Sequence, residues 1–379
     1  MVPPTLSIFE RWTEFEPPLS IVWRGEDNES LYEEARVNRV FNCQRPKRYP
    51  RGIVSAKTES DIVKAVKLAI DQKCSVSVRA GGHSWPVWSI RNDTILLDLG
   101  DVSEISFDDD TGVVSASPST TGQELSDYLH TRGRIFPVGH CPDVGIGGYL
   151  LCGGMGWNSN IPSGIDDGLE IAVIGSYPSG FDECCITVAL FAVGHDEESV
   201  REVLHRADES HPDGAAVRSV CDDTNFNEQF HYKREAYPEE HRYCADNSFL
   251  NDNSDVASVL KSAFSTLPTR KSLALYNSMV PTSRRDLPPM ALSVQSDHYF
   301  ALYGIWEDED DDARNQAWVS EIMKQVGQHS VGAYTGEFDF QTRQSRFWGD
   351  EQKKKLKDIR KKWDPTGVFC GYLGLESDQ

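Results

Sequence analysis

Residues 136–158 read "FPVGHCPDVGIGGYLLCGGMGWN" and set a histidine and a cysteine, His140 and Cys141, directly ahead of a run of glycines. Gly145, Gly147, Gly148, Gly153, Gly154 and Gly156 lack a Cβ and tolerate φ > 0, so backbone N–H groups can converge there on an anion or a flat ring. The same glycines also suit a tightly packed turn with bulges, and glycines alone do not separate the two readings. A dinucleotide fingerprint of the G-x-G-x-x-G kind fails, because Leu150 stands where its third glycine belongs, and no Walker lysine is present. A second loop of this kind is "RAGGHSW", residues 79–85, where His83 follows paired glycines at the end of a predicted strand. A single histidine is more often structural than functional. Two glycine-rich loops that each present a nucleophile shift that balance, since histidine and cysteine can bond covalently to a cofactor lying on the backbone beside them.

The rest of the chain bounds this reading. At 379 residues it is long enough for two domains, or one large domain with an insertion, each able to bury its own core. A formal net charge of −21 argues against nucleic acid or an anionic membrane surface, which need a basic face, and leaves small molecules as the default ligand. The first residues have no basic-then-apolar leader pattern and no stretch is apolar for the width of a bilayer, so a cytoplasmic location is expected. The nine cysteines include no C-x-x-C pair, which indicates neither a disulfide framework nor a zinc ribbon. No metal site is expected. The acidic run Glu307–Asp312 lacks the glycine and terminal glutamate of a calcium loop and suits a helix start instead.

Periodicity predicts mixed α and β organisation. Thr58 with Asp61 and Thr121 with Glu124 have capping-box spacing, the first opening a helix whose face carries Ile62, Val63, Val66 and Ala69 or Ile70. Strands are expected at "CSVSV", "TILLDL" and "GVVSASP", and later at "ITVALFAV", "KSLALYNSMV" and "YFALYGIW". The texture changes near residue 186, where a second domain begins. A basic helix, "DEQKKKLKDIRKKW", sets Leu356, Ile359 and Trp363 on one face before Asp364-Pro365 stops it, and this last segment is expected to return to the first domain.

Taken together, "RAGGHSW", "GHCPDVGIGGYLLCGGMGWNSN", "GAYTGEFDF" and "WDPTGVF" resemble the berberine-bridge-enzyme-like group of flavin-linked oxidases, within the vanillyl-alcohol-oxidase superfamily with its PCMH-type FAD-binding domain. The resemblance runs over about residues 25–175 and 270–370. It implies an α+β fold: a two-subdomain PCMH-type FAD-binding domain over residues 45–178 after an N-terminal segment 1–44, and a substrate domain over 186–332 with an antiparallel sheet backed by helices. Residues 333–379 form a C-terminal segment returning to the FAD domain. It further implies FAD held bicovalently, with His83 on the 8α-methyl and Cys141 on C6 of the isoalloxazine. The implied cofactor contacts are Arg79, Ala80, Gly81, Gly82, His83, Ser84, His140, Cys141, Val144, Gly145, Gly147, Gly148, Gly153, Gly154, Gly156, Trp157 and Asn158, while Cys152 is read as packing. On the substrate side the resemblance points to Tyr334 as proton acceptor, with Glu337 and Asp339 on the same segment able to orient or replace it. The implied reaction is hydride transfer from an alcohol or C–H carbon to flavin, with O2 as acceptor giving hydrogen peroxide. The flavin supplies that redox chemistry and the protein supplies orientation and electrostatics.

Two departures accompany the resemblance. After "DDGLEIAVIG" the family continues through further strands and a second glycine-rich segment, whereas this chain goes at once to "SYPSGFDECCITVALF", so several dozen residues of the cofactor domain are expected to be absent and a sheet edge left open. The turn "RRDLPPMALS" lacks the histidine common in the family, which leaves Asp286, Asp297 and His298 as further candidates for a base. The alternative function is therefore an inactive or incomplete flavin-binding remnant. A metal-dependent hydrolase using His83, His140 and Cys141 lacks the acidic ligand spacing of such sites. Substrate identity and oligomeric state are not written in the sequence.

Overall fold

A computed structural model of the chain describes residues 18–156, 169–194, 196–279, 283, 286–287 and 289–375. Its first unit is a four-stranded sheet of order β1-β2-β4-β3, built from β1 (Ile21–Trp23), β2 (Gly52–Ser55), β3 (Val76–Arg79) and β4 (Ile95–Asp98). β2, β4 and β3 run parallel, and the central strand "ILLD" is buried along its whole length, as a parallel strand covered on both faces requires. Helices α1 (Glu29–Val37) and α2 (Glu59–Asp71) belong to this unit, and α2 opens on the expected Thr58–Asp61 capping box. Its buried stripe is Ala65 and Ala69 with Ile62 and Val66 beside them. Val63 and Ile70, expected on that stripe, are exposed, because each lies about 90° around the helix from its centre.

The chain's last part joins the same sheet. Val76 N–H donates to Val368 O at 2.8 Å and Cys370 N–H donates to Val76 O at 2.8 Å, so residues 368–370 run alongside β3. The preceding basic helix buries none of its residues, and its stripe of Leu356, Ile359 and Trp363 is exposed. Contact with the first unit is made by the extended segment beyond that helix.

Next come β5 (Ile105–Asp108) and β6 (Val113–Ala116), a two-stranded antiparallel sheet. Ile105, Phe107, Val114 and Ala116 pack on Leu125 and Leu129 of α3 (Gly122–His130), which opens on the expected Thr121–Glu124 box. Among the described residues no third strand pairs with either side of this sheet. A short helix, α4 (Ile146–Leu151), lies in the glycine run.

The second unit is a six-stranded antiparallel sheet of order β12-β9-β11-β10-β7-β8. Its strands are β7 (Leu169–Ser176), β8 (Cys185–Ala192), β9 (Arg242–Leu250), β10 (Leu273–Ser278), β11 (His298–Trp306) and β12 (Ser330–Gly332). β7, read from the sequence as the end of the first domain, hydrogen-bonds to β10 and β8 and so belongs to this second sheet. β11 is buried on both faces, and its period of two sorts the core. Phe300 and Leu302 join the layer under helices α7 (Val256–Ser265) and α8 (Asp312–Val326), whereas Tyr299, Ala301, Tyr303 and Ile305 face the other way, toward Trp85 and Tyr334. No helix among the described residues is long and apolar enough to cross a membrane.

Candidate functional site

The aromatic face of β11 and the two glycine-rich loops enclose one cavity of about 1290 Å³, bordered also by β7, β8, residues 334–337 and α6 (Phe226–Ala236), the helix that follows α5 (Glu197–Asp208). That exceeds the roughly 300–1,000 Å³ of a pocket for one small ligand and leaves room for a large cofactor together with a substrate.

The glycines divide by what a side chain would meet. A Cβ on Gly81 would lie 2.6 Å from Gly145 N, so the two loops touch backbone to backbone. Gly82 has φ +78°, and its Cβ would fall 1.7 Å from Arg39 O. Gly147 is closed off by Pro118 and its N–H already donates to Pro118 O at 2.9 Å. Gly153, at φ +75°, ends α4 in the left-handed conformation that stops helices, and Gly154 N–H donates to Tyr149 O at 2.7 Å. A Cβ on Gly154 would strike the Tyr149 ring, and one on Gly156 would strike Val138 O, both at 2.2 Å. Gly153, Gly154 and Gly156 therefore serve packing and do not border the cavity. Gly148 borders it with nothing within 4 Å of its Cβ position, so it is the glycine of this run whose missing side chain leaves cavity space. Trp157 and Asn158 lie outside the described residues.

Arg79, Ala80, Gly81, Gly82, His83, Ser84, His140, Cys141, Val144, Gly145, Gly147 and Gly148 all line the cavity. The Arg79 side chain is committed elsewhere: it pairs with Asp98 at 2.6 Å and donates to Ala35 O and Arg36 O at 2.7 Å, tying β3 to β4 and α1. The His83 ring stacks on Phe41, centroids 4.1 Å apart, and meets Trp85 edge-on. Its buried Nε2 is 3.2 Å from Asp143 Oδ2 without the alignment of a hydrogen bond. Burial would raise the Asp143 carboxyl, but the His83 ring outweighs it and holds that carboxyl below its usual range. His140 Nε2 is 3.2 Å from Glu170 Oε1 of β7. Burial, then the Asp143 charge, push the Cys141 thiol well up, so it is held neutral.

Elsewhere in the lining, β12 leads into a single 3-10 turn, Thr335–Glu337. The Glu337 carboxylate accepts hydrogen bonds from Tyr299 OH and Tyr303 OH, each at 2.5 Å. Burial raises this carboxyl, and the two phenols pull it partly back. Tyr334 also borders the cavity. Burial lifts its phenol well above 10.0, and nearby Cys152 and Glu337 lift it further, so the lowered phenol that a tyrosine base needs is not provided. Asp339 does not border the cavity; it caps a turn, accepting from Gln341 N at 3.0 Å. Asp286, Asp297 and His298 do not border it either, and His298 Nδ1 sits 2.9 Å from Tyr276 OH. Sequence reading missed Tyr299, Tyr303, Asp143 and Glu170. The four-residue spacing of the tyrosines in "HYFALYGIW", twice the strand period and so on one face, was a signal for the first pair.

Residues 50–172 match the family described as FAD binding domain, and residues 333–374 match the one described as Berberine and berberine like. The chain is 30% identical over 437 positions to the FAD-linked oxidoreductase nodO of Hypoxylon pulicicidum, covering 94% of this chain and 97% of that one. With janO of Penicillium janthinellum, also an FAD-linked oxidoreductase, identity is 28%, over 95% of this chain and 99% of the other. An alignment of 437 positions against a chain of 379 residues leaves at least 58 positions of the nodO alignment without a counterpart here. Among solved structures, BBE-like 1 of Physcomitrella patens superposes with TM-score 0.68 at 15% identity, covering 94% of this chain and 97% of that one. The 6-hydroxy-D-nicotine oxidase of Arthrobacter nicotinovorans superposes with TM-score 0.70 at 12% identity, covering 94% and 98%. These last two establish the α+β fold of the PCMH-type oxidases, and the full-length likeness to nodO establishes descent: the chain belongs to the berberine-bridge-like FAD-linked oxidoreductases.

Proposed function

We propose that this FAD-dependent oxidoreductase is an oxidase of a small-molecule alcohol or C–H substrate, with the cofactor tethered through His83 and Cys141. The observation that carries the reading is one cavity whose lining includes both of those nucleophiles and a carboxylate clamped by two tyrosines. The residues present fit the cofactor: the cavity is large enough, Gly148 opens into it, and the buried His83 Nε2 lacks a hydrogen-bond partner. FAD, when bound, supplies the two-electron chemistry, taking a hydride from the substrate carbon and passing the electrons to O2 to give hydrogen peroxide.

The chain's own residues supply the rest. The backbone of residues 80–84 and 139–148 forms the wall against which a flat ring rests, and stacking on Phe41 orients the His83 ring. The aromatic face of Trp85, Tyr237 and Tyr303 excludes water from the reacting carbon. Glu337 accepts the substrate hydroxyl proton at a carboxylate oxygen, while Tyr299 donates to Oε2 and Tyr303 to Oε1, holding the carboxylate in place and sharing its charge. Tyr334 lies beside it as a neutral phenol.

A second reading, a flavin-binding remnant without turnover, is favoured by the 58 or more absent positions and by the two-stranded β5–β6 sheet, which no third strand among the described residues joins. Purified FAD-loaded protein mixed anaerobically with a panel of primary and secondary alcohols separates the two. Bleaching of the visible flavin band by one alcohol, followed by recovery and peroxide on admitting air, supports the oxidase. FAD-loaded protein that no alcohol bleaches supports the remnant.

A further inference from the structure

We propose that Asn247 is a positioning residue that sets Glu337 in the cavity by standing in for a strand where β12 leaves the sheet; this rests on Glu337 being the proton acceptor. β12 follows β9 only as far as Ser330 opposite Leu250 and Gly332 opposite Phe249, with a register irregularity between them. Beyond that point the Asn247 carboxamide takes over. Its Oδ1 accepts from Tyr334 N at 2.7 Å, and its Nδ2 donates to Tyr334 O at 2.9 Å and Glu337 O at 3.0 Å. A carboxamide carries the same donor and acceptor pair as a peptide group, so it can continue a ladder that the backbone has abandoned. Both ends of the turn bearing Glu337 are fixed in this way.

The register places this clamp well. Asn247 lies opposite Ala301 on β11, midway between Ala245 opposite Tyr303 and Phe249 opposite Tyr299. The strand that pins the Glu337 backbone is thus paired with the strand whose two phenols hold its carboxylate. Asn247 is fully buried, within a run "ADNS" whose polar side chains interrupt the apolar pattern of a buried strand. Its neighbour Asp246 pairs with Arg343 through two contacts of 2.8 Å, and Arg343 also donates to Asn247 O at 2.6 Å, which fixes the backbone carrying the carboxamide.

The test is Asn247→Leu, close in size but without the three hydrogen bonds, with Asn247→Ser as a milder second variant should the first fail to fold. Two quantities are followed in FAD-loaded protein: the titration of the Glu337 carboxyl carbon by 13C-glutamate NMR, assigned through Glu337→Gln, and the anaerobic flavin-reduction rate with the alcohol found in the panel. A misplacement near 1 Å is worth on the order of 10²-fold in rate. The expected result is a displaced carboxyl titration and reduction slowed roughly 10- to 100-fold, with KM within about threefold and FAD content unchanged. A wild-type titration and rate in the folded variants overturns the proposal, and so does a rate loss that only tracks lost folded protein. If Glu337→Gln itself reduces flavin at the wild-type rate, the proton-acceptor reading fails, while a displaced titration in Asn247→Leu still upholds the positioning.

Discussion

Glu337→Gln isolates the carboxyl charge in the cavity lining. Glutamine keeps the size of the side chain and can still accept from one of the two phenols, so packing against Tyr299 and Tyr303 is retained while the proton acceptor is lost. General-base assistance is worth about 10²- to 10⁴-fold, or about 2.7–5.4 kcal/mol of barrier at 1.36 kcal/mol per decade. A lost surface hydrogen bond would be far smaller. Because burial raises the Glu337 carboxyl above its ordinary 4.5, the wild-type reduction rate should climb with pH as that carboxyl ionises, and this limb should vanish in the variant. Stability supplies an independent sign. The folded chain holds this proton more tightly than the unfolded chain, so wild type loses stability as pH rises from about 4.5 through the folded value, and the glutamine variant does not. The unfolding temperature of the variant should therefore gain on wild type from acid to neutral pH. The assay is anaerobic stopped-flow bleaching of the flavin, run across pH beside thermal unfolding. A variant with the wild-type rate and the wild-type pH limb would refute the assignment of Glu337.

Two glycine substitutions should part along the lines of their surroundings. Gly82→Ala, forced to φ +78° against Arg39 O, should lower thermal stability by at least about 1 kcal/mol, whereas Gly148→Leu should leave the apoprotein's unfolding unchanged and weaken FAD binding, read by flavin titration. Tyr334→Phe should keep flavin reduction within about tenfold of wild type, since burial already keeps the phenol protonated; a loss of 10²-fold or more in stopped flow would return Tyr334 to the role of acceptor.

Much of the fold was legible because its signals are local. The Thr58–Asp61 and Thr121–Glu124 boxes and the alternation in "YFALYGIW" each depend on neighbours within a few residues, and each forms where the pattern places it. The placement of "LEIAVIG" was not legible, because sheet membership is decided by β10, about a hundred residues downstream. His83 and Cys141 stood out through their glycine settings, yet the purpose of each glycine did not. Gly153, Gly154 and Gly156 answer to α4, Tyr149 and Leu292, contacts that only the packed chain defines. The preference for Glu337 over Tyr334 was hidden for the same reason, since it arises from burial and from two phenols on another strand. Leu356, Ile359 and Trp363 show the converse: their helical spacing is real, and the face they form is left uncovered.

The central claim, that the cavity holds a flavin bonded to both glycine-rich loops, is tested most directly by precipitating FAD-replete protein with acid and examining the pellet. The account predicts a yellow pellet, flavin mass on the peptides carrying His83 and Cys141, and colour that survives in His83→Ala and in Cys141→Ala but is lost when both are replaced. A colourless pellet, with all the flavin in the supernatant, would contradict it.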